Sequence, residues 1–146
     1  MDEFTFEDVM LSSDRVKLDL SRIEEMLRDA FWCRGITINE ISKGIRNSAL
    51  VVGAYTKNNG QVGFIRVVSD KTRFAYILDV IVDARYRKHG IGQKMVRYAL
   101  DHCEMRDFYQ WVLNTKDAQV LYSKLGFKKH EITEFWMMIN VVRREF

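Results

Sequence analysis

Apolar residues in the first third of the chain recur at the spacing of amphipathic helices, and this pattern predicts two of them. In the first helix the intervals are three and four residues, at Ile23, Met26, Leu27, Ala30 and Phe31. Ser21 to Glu24 and Thr37 to Glu40 both have the sequence of a capping box, which begins a helix. The second helix is expected to be short and to stop near Asn47. A strand from Phe4 to Met10 is predicted before them.

The middle of the chain favours strands instead, because β-branched and aromatic residues dominate it. Strands are predicted from Ala49 to Tyr55, from Val62 to Val68 and from Phe74 to Val82. The sequence Lys57-Asn58-Asn59-Gly60 predicts a tight hairpin turn between the first two. The three strands would therefore form a meander.

Helical and strand patterns alternate after residue 90. A helix is predicted from Gly90 to Cys103, a strand from Phe108 to Leu113, and a short helix from Asp117 to Leu125 that Gly126 would end. A last strand is predicted from Trp136 to Val142. This order predicts an α/β fold with a mixed sheet and helices packed on its faces. The fourth and fifth strands, joined through a helix, should be parallel with a right-handed crossover.

Composition narrows the class of protein. The 146 residues fit a single domain over 1–146, with 29% charged and 47% hydrophobic residues. The net charge of +3 is small and the charges are dispersed, which argues against nucleic acid as a partner. Cys33 and Cys103 lack the spacing of a metal site, so reduced thiols and no metal are expected. With no apolar run near ~18 residues and no signal-like N-terminus, a cytoplasmic protein without membrane contact is expected.

The segment from Arg87 to Gly92 lies between a predicted strand and a predicted helix. Its two glycines allow the backbone to approach a ligand closely, and a helix N-terminus offers unpaired N–H groups to a phosphate. Arg87 and Lys88 add positive charge, so the segment suits a pyrophosphate. It is neither a P-loop nor a dinucleotide fingerprint, which would have Gly or Ala at Met95. Taken alone, the hexapeptide also fits an ordinary strand-to-helix turn.

Two longer segments carry a family resemblance. Leu78 to Gly92 combines an L-x-V-x-V strand with R-x-x-G-x-G, and Asp117 to Phe127 resembles the segment A-x-x-L-Y-x-x-x-G-F. Together they resemble the GNAT superfamily of N-acetyltransferases, and the stretch from Trp111 to Phe127 is most similar to small, poorly characterised bacterial members. The resemblance implies a mixed, mostly antiparallel sheet with a splayed central strand pair and helices on both faces.

The resemblance also implies acetyl-CoA as the co-substrate, lying between the splayed strands. Its pantetheine would pair with the strand backbone and its pyrophosphate would bind the loop, at Val80, Ile81, Val82, Arg87, Lys88, His89, Gly90, Ile91, Gly92 and Gln93. A backbone N–H near Val80 would polarise the thioester carbonyl. Many relatives have an Asn that holds the pantetheine where this chain has Thr115, preceded by Asn114, which leaves that contact open. Relatives also have Pro at Ala84 and Gly at Lys88, where the lysine requires an ordinary φ.

The sequence specifies the catalytic and acceptor residues less closely than the cofactor residues. Tyr122 matches the general acid of the family, although it also fits the apolar face of its helix. Asp79 is a carboxylate inside an apolar strand, and it is a candidate base or amine anchor or else half of an ion pair with Arg66 or Arg73. Trp32, Arg34, Phe74 and Tyr76 could line an acceptor pocket or belong to the core.

Two functions remain open. The first is transfer of an acetyl group from acetyl-CoA to a primary amine of a small molecule or peptide, and the retained Tyr122 favours it. The second is a non-catalytic acyl-CoA-binding regulatory module that keeps the same cleft. The apolar run from Phe135 to Met138 fits either a core strand or the surface of a homodimer. The acceptor is not predicted by these residues.

Overall fold

The computed structural model of this chain describes residues 8–28, 30–107, 109–129 and 135–139. The strands of its sheet are β1 (Val9–Ser12), β2 (Leu50–Thr56), β3 (Gly60–Ser69), β4 (Phe74–Val82) and β5 (Gln110–Leu113). The helices are α1 (Leu20–Leu27), α2 (Ile38–Arg46), α3 (Ile91–Asp101) and α4 (Gln119–Ser123). None of the helices in these ranges is long and apolar enough to cross a membrane.

The five strands lie side by side in sequence order. The first three pairings are antiparallel, and the pairing of β4 with β5 is parallel. The predicted hairpin is present, since Thr56 pairs with Gly60 and Gly60 has a φ of +64°, which a glycine adopts without strain. The predicted mixed and mostly antiparallel α/β sheet is therefore confirmed, as is the parallel pairing of the fourth and fifth strands.

Helices cover both faces of the sheet because successive strand residues point to opposite faces. On β2, Val51 packs with α1 and α2, whereas Leu50 and Val52 pack with α3. The α1–α2 face buries Ile23, Leu27, Ala30, Ile41, Ile45, Val51, Phe64 and Ile81. The α3 face buries a larger cluster that includes Val62, Ile65, Val67, Ala75, Ile77, Ile91, Met95 and Val96. A cleft opens at the end of β4, between the helices that cover these two faces.

The helix starts are partly as predicted. Thr37 caps α2 through a hydrogen bond from the N–H of Glu40, as its capping box indicates, and Asn47 ends that helix. For α1 the predicted cap at Ser21 is wrong. Asp19 is the cap, because its carboxylate accepts the N–H of Arg22 at 3.1 Å. Its own N–H donates to the buried side chain of Gln61, which fixes the start of the helix against β3.

The predictions for the two ends of the chain need correction. Of the predicted strand from Phe4 to Met10, residues 4–7 lie outside the described residues, and β1 runs on to Ser12. The predicted strand from Trp136 to Val142 is not a strand over residues 136–139, and residues 140–142 lie outside the described part. Because the side chains of Phe135 to Ile139 are exposed, this run is not part of the core.

Candidate active site

A bulge in β4 shapes the site. Phe64 of β3 pairs with Ile81, and Arg66 pairs with Leu78, so Ile65 alone lies opposite two residues of β4, Asp79 and Val80. Asp79 has a φ of +57°, a left-handed conformation that aspartate tolerates better than most residues. The extra residue reverses the alternation of the strand: Ala75 and Ile77 face α3, whereas Ile81 faces α1 and α2.

The parallel pairing of β4 with β5 stops short of the end of β4. The last pair is Ile77 with Leu113, and residues 78–82 of β4 continue without a partner from β5. A cleft of about 1160 Å³ opens beside this segment. Its walls include Val80 to Val82, the loop from Asp83 to Lys88, the start of α3, and residues of α1 and α4. The unpaired strand backbone therefore faces an open space, as the expected splayed strand pair requires.

The start of α3 closes one end of the cleft. Gly90 precedes the helix with a φ of +79°, and a Cβ placed on it would meet no other atom within 4 Å. The first N–H groups of α3 have no partner within the helix. Lys88 has a φ of +66°, so the expected ordinary φ is wrong. The loop passes through the left-handed region there, a conformation that favours glycine.

Charged side chains on the cleft wall divide into paired and unpaired groups. Arg22 of α1 bonds to Asp83 and to Glu25, and Arg85 bonds to Asp83. Hydrogen bonds from Arg85, and then from Arg22, hold the pKa of Asp83 well below its usual range, so this carboxylate stays ionised.

Two cations on the cleft wall are available to a ligand. Arg87 donates from Nε to the carbonyl of Val82 at 3.0 Å, and neither it nor Lys88 has a carboxylate partner among the described residues. Together with the open backbone at Gly90, these two cations fit a pyrophosphate.

Tyr122 lies on the opposite wall, on α4. Its ring is half-buried and meets Phe127 at a centroid distance of 6.2 Å. Phe127 donates its N–H to the carbonyl of Tyr122, and Gly126 donates to Ser123, which is the hydrogen-bond pattern of a Schellman motif. Burial raises the pKa of Tyr122, so its phenol stays protonated at neutral pH. Tyr122 therefore packs against the core and also lines the cleft, so the two interpretations of it are compatible.

Asp79 lies next to the cleft rather than on its wall. Its carboxylate accepts Nε of Arg66 at 2.7 Å and Nε1 of Trp32 at 3.0 Å. The ion-pair alternative for Asp79 is therefore present, with Arg66 as the partner. Trp32 does line the cleft, beside Phe31.

The structure brings most of the expected cofactor residues together. Those that line the cleft are Val80, Ile81, Val82, Arg87, Lys88, Gly90, Ile91, Gly92 and Gln93. Gln93 also donates to the carbonyl of Leu121, which ties α3 to α4 across the cleft. His89 and Asn114 are not on the wall, and the hydroxyl of Thr115 accepts the N–H of Ala118 before α4.

The expected acceptor residues separate. Of Trp32, Arg34, Phe74 and Tyr76, Trp32 lines the cleft and Arg34 does not. Phe74 and Tyr76 lie at the other end of β4, where they pair with Gln110 and Val112 of β5. Several further wall residues were not predicted from the sequence; they belong to α1, to the loop between α1 and α2, and to the β4–α3 loop, namely Arg22, Glu25, Met26, Phe31, Asp83 and Arg85. The only local signal for the bulge is an aspartate within an apolar strand.

Comparison with known proteins identifies the family. The model of the GNAT acetyltransferase domain matches residues 47–129, and the chain belongs to this family. A crystal structure of a protein assigned to the GNAT family from Xanthomonas campestris pv. campestris superimposes with a TM-score of 0.83 and 29% identity, over 91% of this chain and 93% of that one. Members of the family use acetyl-CoA as a co-substrate.

Relatives of known name include eukaryotic enzymes. Glucosamine 6-phosphate N-acetyltransferase of Arabidopsis thaliana is 28% identical over 86 residues, which are 58% of this chain and 50% of that protein. The crystal structure of that plant enzyme has the same fold, with a TM-score of 0.69 at 21% identity over 92% of this chain and 99% of that one. The chain spans about half the length, or less, of the curated relatives it matches first. The narrower expectation of a bacterial-type member is therefore not confirmed.

Proposed function

We propose that this chain transfers an acetyl group from acetyl-CoA to a primary amine. The observation that carries the proposal is that three elements converge on one cleft: the unpaired end of β4, the loop from Arg87 to Gly92, and the phenol of Tyr122. Acetyl-CoA would extend the sheet along residues 80–82 and place its pyrophosphate at the start of α3.

The reaction needs no covalent intermediate with the protein. The amine nitrogen attacks the carbonyl carbon of the thioester, so that a C–N bond forms and the C–S bond breaks. A backbone N–H at the bulge would stabilise the oxyanion. The leaving thiolate takes the proton of Tyr122, and the proton released by nitrogen restores the phenol. This balance suits a phenol whose pKa burial raises, because its proton is present throughout the neutral range.

The acceptor is open, and the named relatives suggest where to begin. Three of the curated relatives act, by name, on glucosamine 6-phosphate. The panel should therefore contain that amino sugar phosphate, glucosamine, spermidine, several amino acids and a peptide with a free N-terminus. The wall residues Phe31 and Trp32 are the ones that would meet it.

Two measurements test the proposal in sequence. Calorimetric titration with acetyl-CoA is expected to give saturable binding, and thiol release is then measured across the amine panel. Release that depends on one amine supports transfer. Saturable binding without release from any amine would favour the regulatory acyl-CoA-binding module, and the absence of acetyl-CoA binding would overturn both functions.

A further inference from the structure

Asp79 joins three separate parts of the fold. It is the inserted residue of the β4 bulge, its Oδ2 accepts Nε of Arg66 on β3, and its Oδ1 accepts Nε1 of Trp32 in the loop between α1 and α2. Its side chain is only 8% exposed. Without the inserted residue, position 79 would share the α3 face with Ala75 and Ile77. The bulge instead directs its carboxylate toward α1 and α2.

The cation of this cluster is itself held in place. The guanidinium of Arg66 reaches Ser48 Oγ at 3.4 Å, and a Cβ on Gly44 of α2 would lie 3.5 Å from it. The hydroxyl of Ser48 in turn donates to the carbonyl of Gly44 at 2.8 Å. Arg66 is therefore fixed between β3 and the end of α2, and it fixes the carboxylate of Asp79.

We infer that Asp79 is a positioning residue that holds Trp32 on the acceptor wall of the cleft, and that it does not act as the general base. Both carboxylate oxygens already accept a hydrogen bond, one of them in an ion pair, so Asp79 could take a proton from a substrate amine only by weakening these contacts. It does not line the cleft, whereas the Trp32 ring that it bonds does. A charge-assisted bond to a fixed carboxylate orients the indole, which is 47% exposed.

A fluorescence experiment tests the positioning role without any acceptor. In a background of Trp111→Phe and Trp136→Phe, Trp32 is the one remaining tryptophan. Asp79→Asn is expected to red-shift its emission and to raise its acrylamide quenching constant by about twofold, because the neutral amide has one acceptor oxygen for two donors and no charge to hold the indole. Asp101→Asn, which alters an exposed carboxylate paired with Arg97, is the matched control. Unchanged emission and quenching in a folded Asp79→Asn protein would overturn the inference.

The kinetic experiment rests on the proposed function and uses the amine from the panel that is turned over fastest. Asp79→Asn and Trp32→Phe should each raise the KM for this amine by roughly three- to tenfold, as expected for loss of one hydrogen bond, with kcat nearly unchanged. Their double variant should be little worse than either alone, because both remove the same contact. The affinity for acetyl-CoA should stay the same in all of them.

A general base would give a different result. Loss of a base lowers kcat by about a hundredfold or more and removes the acidic limb of its pH profile, with the amine KM preserved. That outcome for Asp79→Asn would overturn the positioning role. If Asp79→Asn does not fold, Trp32→Phe decides the kinetic question, since an unchanged amine KM there also contradicts the inference. If no amine is turned over, the proposed function fails, while the fluorescence result still stands.

Discussion

The two halves of the cleft differ in the groups that give them their shape. The proposed donor half consists of the end of β4 and the loop from Arg87 to Gly92, and its shape depends on the backbone conformations of Asp79, Lys88 and Gly90. The proposed acceptor half includes Phe31 and Trp32, whose side chains contact other elements: Asp79 bonds to Trp32, and Lys116 lies over the Phe31 ring at 5.6 Å. The first half therefore depends largely on dihedral angles, with Arg87 and Lys88 adding charge, and the second depends on contacts between side chains.

This difference explains why one half is easier to recognise. Backbone conformations such as those at Gly90 require particular residues at fixed spacing, so they leave a short motif in the sequence. The contact between Trp32 and Asp79 joins residues that are 47 positions apart, and no local pattern marks it. The following predictions test whether the two halves can be perturbed separately.

The largest effect is expected where the two halves meet, at Tyr122. Tyr122→Phe should lower kcat by about a hundredfold, because the thiolate leaves without a proton donor, and should change the acetyl-CoA affinity less than about twofold. Since burial raises the pKa of this phenol, kcat of the unmodified protein should show no loss from its ionisation below about pH 10.

Steady-state kinetics across pH, with calorimetry of acetyl-CoA, provides the measurement for Tyr122. Tyr109→Phe is the matched control, because that phenol is 82% exposed and does not line the cleft. Equal turnover by Tyr122→Phe and the parent protein would remove Tyr122 from the chemical step and leave it a packing role against Phe127.

The next largest effect concerns the donor half alone. Gly90→Glu should weaken acetyl-CoA binding by about 10- to 100-fold, because it places an anion beside the expected pyrophosphate. Gly90→Ala shares the strained φ without the charge. It should lower stability by about 1 kcal/mol and leave binding nearly unchanged. Calorimetry and urea unfolding separate the two effects, and equal affinities for both variants would contradict the phosphate assignment of the loop.

A smaller effect is expected in the acceptor half. Phe31 contacts Trp32 edge-to-face at a centroid distance of 5.1 Å and is otherwise largely exposed. Phe31→Ala should raise the KM for the amine by roughly threefold, in line with the energy of an aromatic pair, without changing acetyl-CoA affinity. Phe31→Leu, which keeps apolar bulk, is the control. A parallel change in acetyl-CoA affinity would show that the two halves are not independent.

Much of the fold follows from the apolar pattern. The bounds of β4 and the hairpin before β3 agree with their predictions because strand periodicity and turn residues act locally. The predicted cap at Ser21 is wrong because Gln61, which is 42 residues away, fixes Asp19 as the start of the helix. Long-range contacts of this kind leave no periodic signal.

The site shows the same division between local and long-range signals. The loop motif predicts most of the residues from Arg87 to Gly92 that line the cleft, but it does not predict the positive φ of Lys88, since an apolar or polar pattern carries no dihedral information. The sequence leaves Phe74 and Tyr76 open between an acceptor pocket and the core. They pair with Gln110 and Val112 of β5, at the opposite end of β4 from the cleft.

The smallest effect lies on the α1–α2 face, outside the cleft. The hydroxyl of Tyr55 is buried without a hydrogen-bond partner among the described residues, and its ring lies against Gly53. Tyr55→Phe should therefore stabilise the protein by about 1 kcal/mol at pH 8 and leave acetyl-CoA affinity unchanged. Tyr98→Phe, which loses a contact with Ser13, is the control and should not stabilise.

The pH dependence of unfolding sharpens the test at Tyr55. Burial, together with Asp14 and Asp19, raises the pKa of Tyr55 to about 12, above the value near ~10 that it has in the unfolded chain. A raised pKa means that the folded state holds the proton more tightly. The part of the folding free energy that depends on the proton of Tyr55 is complete below about pH 10 and is lost as the pH rises through 12. Urea unfolding at pH 8 and pH 11 should therefore show the advantage of Tyr55→Phe increasing with pH, and a constant difference would mean that the phenol is not desolvated.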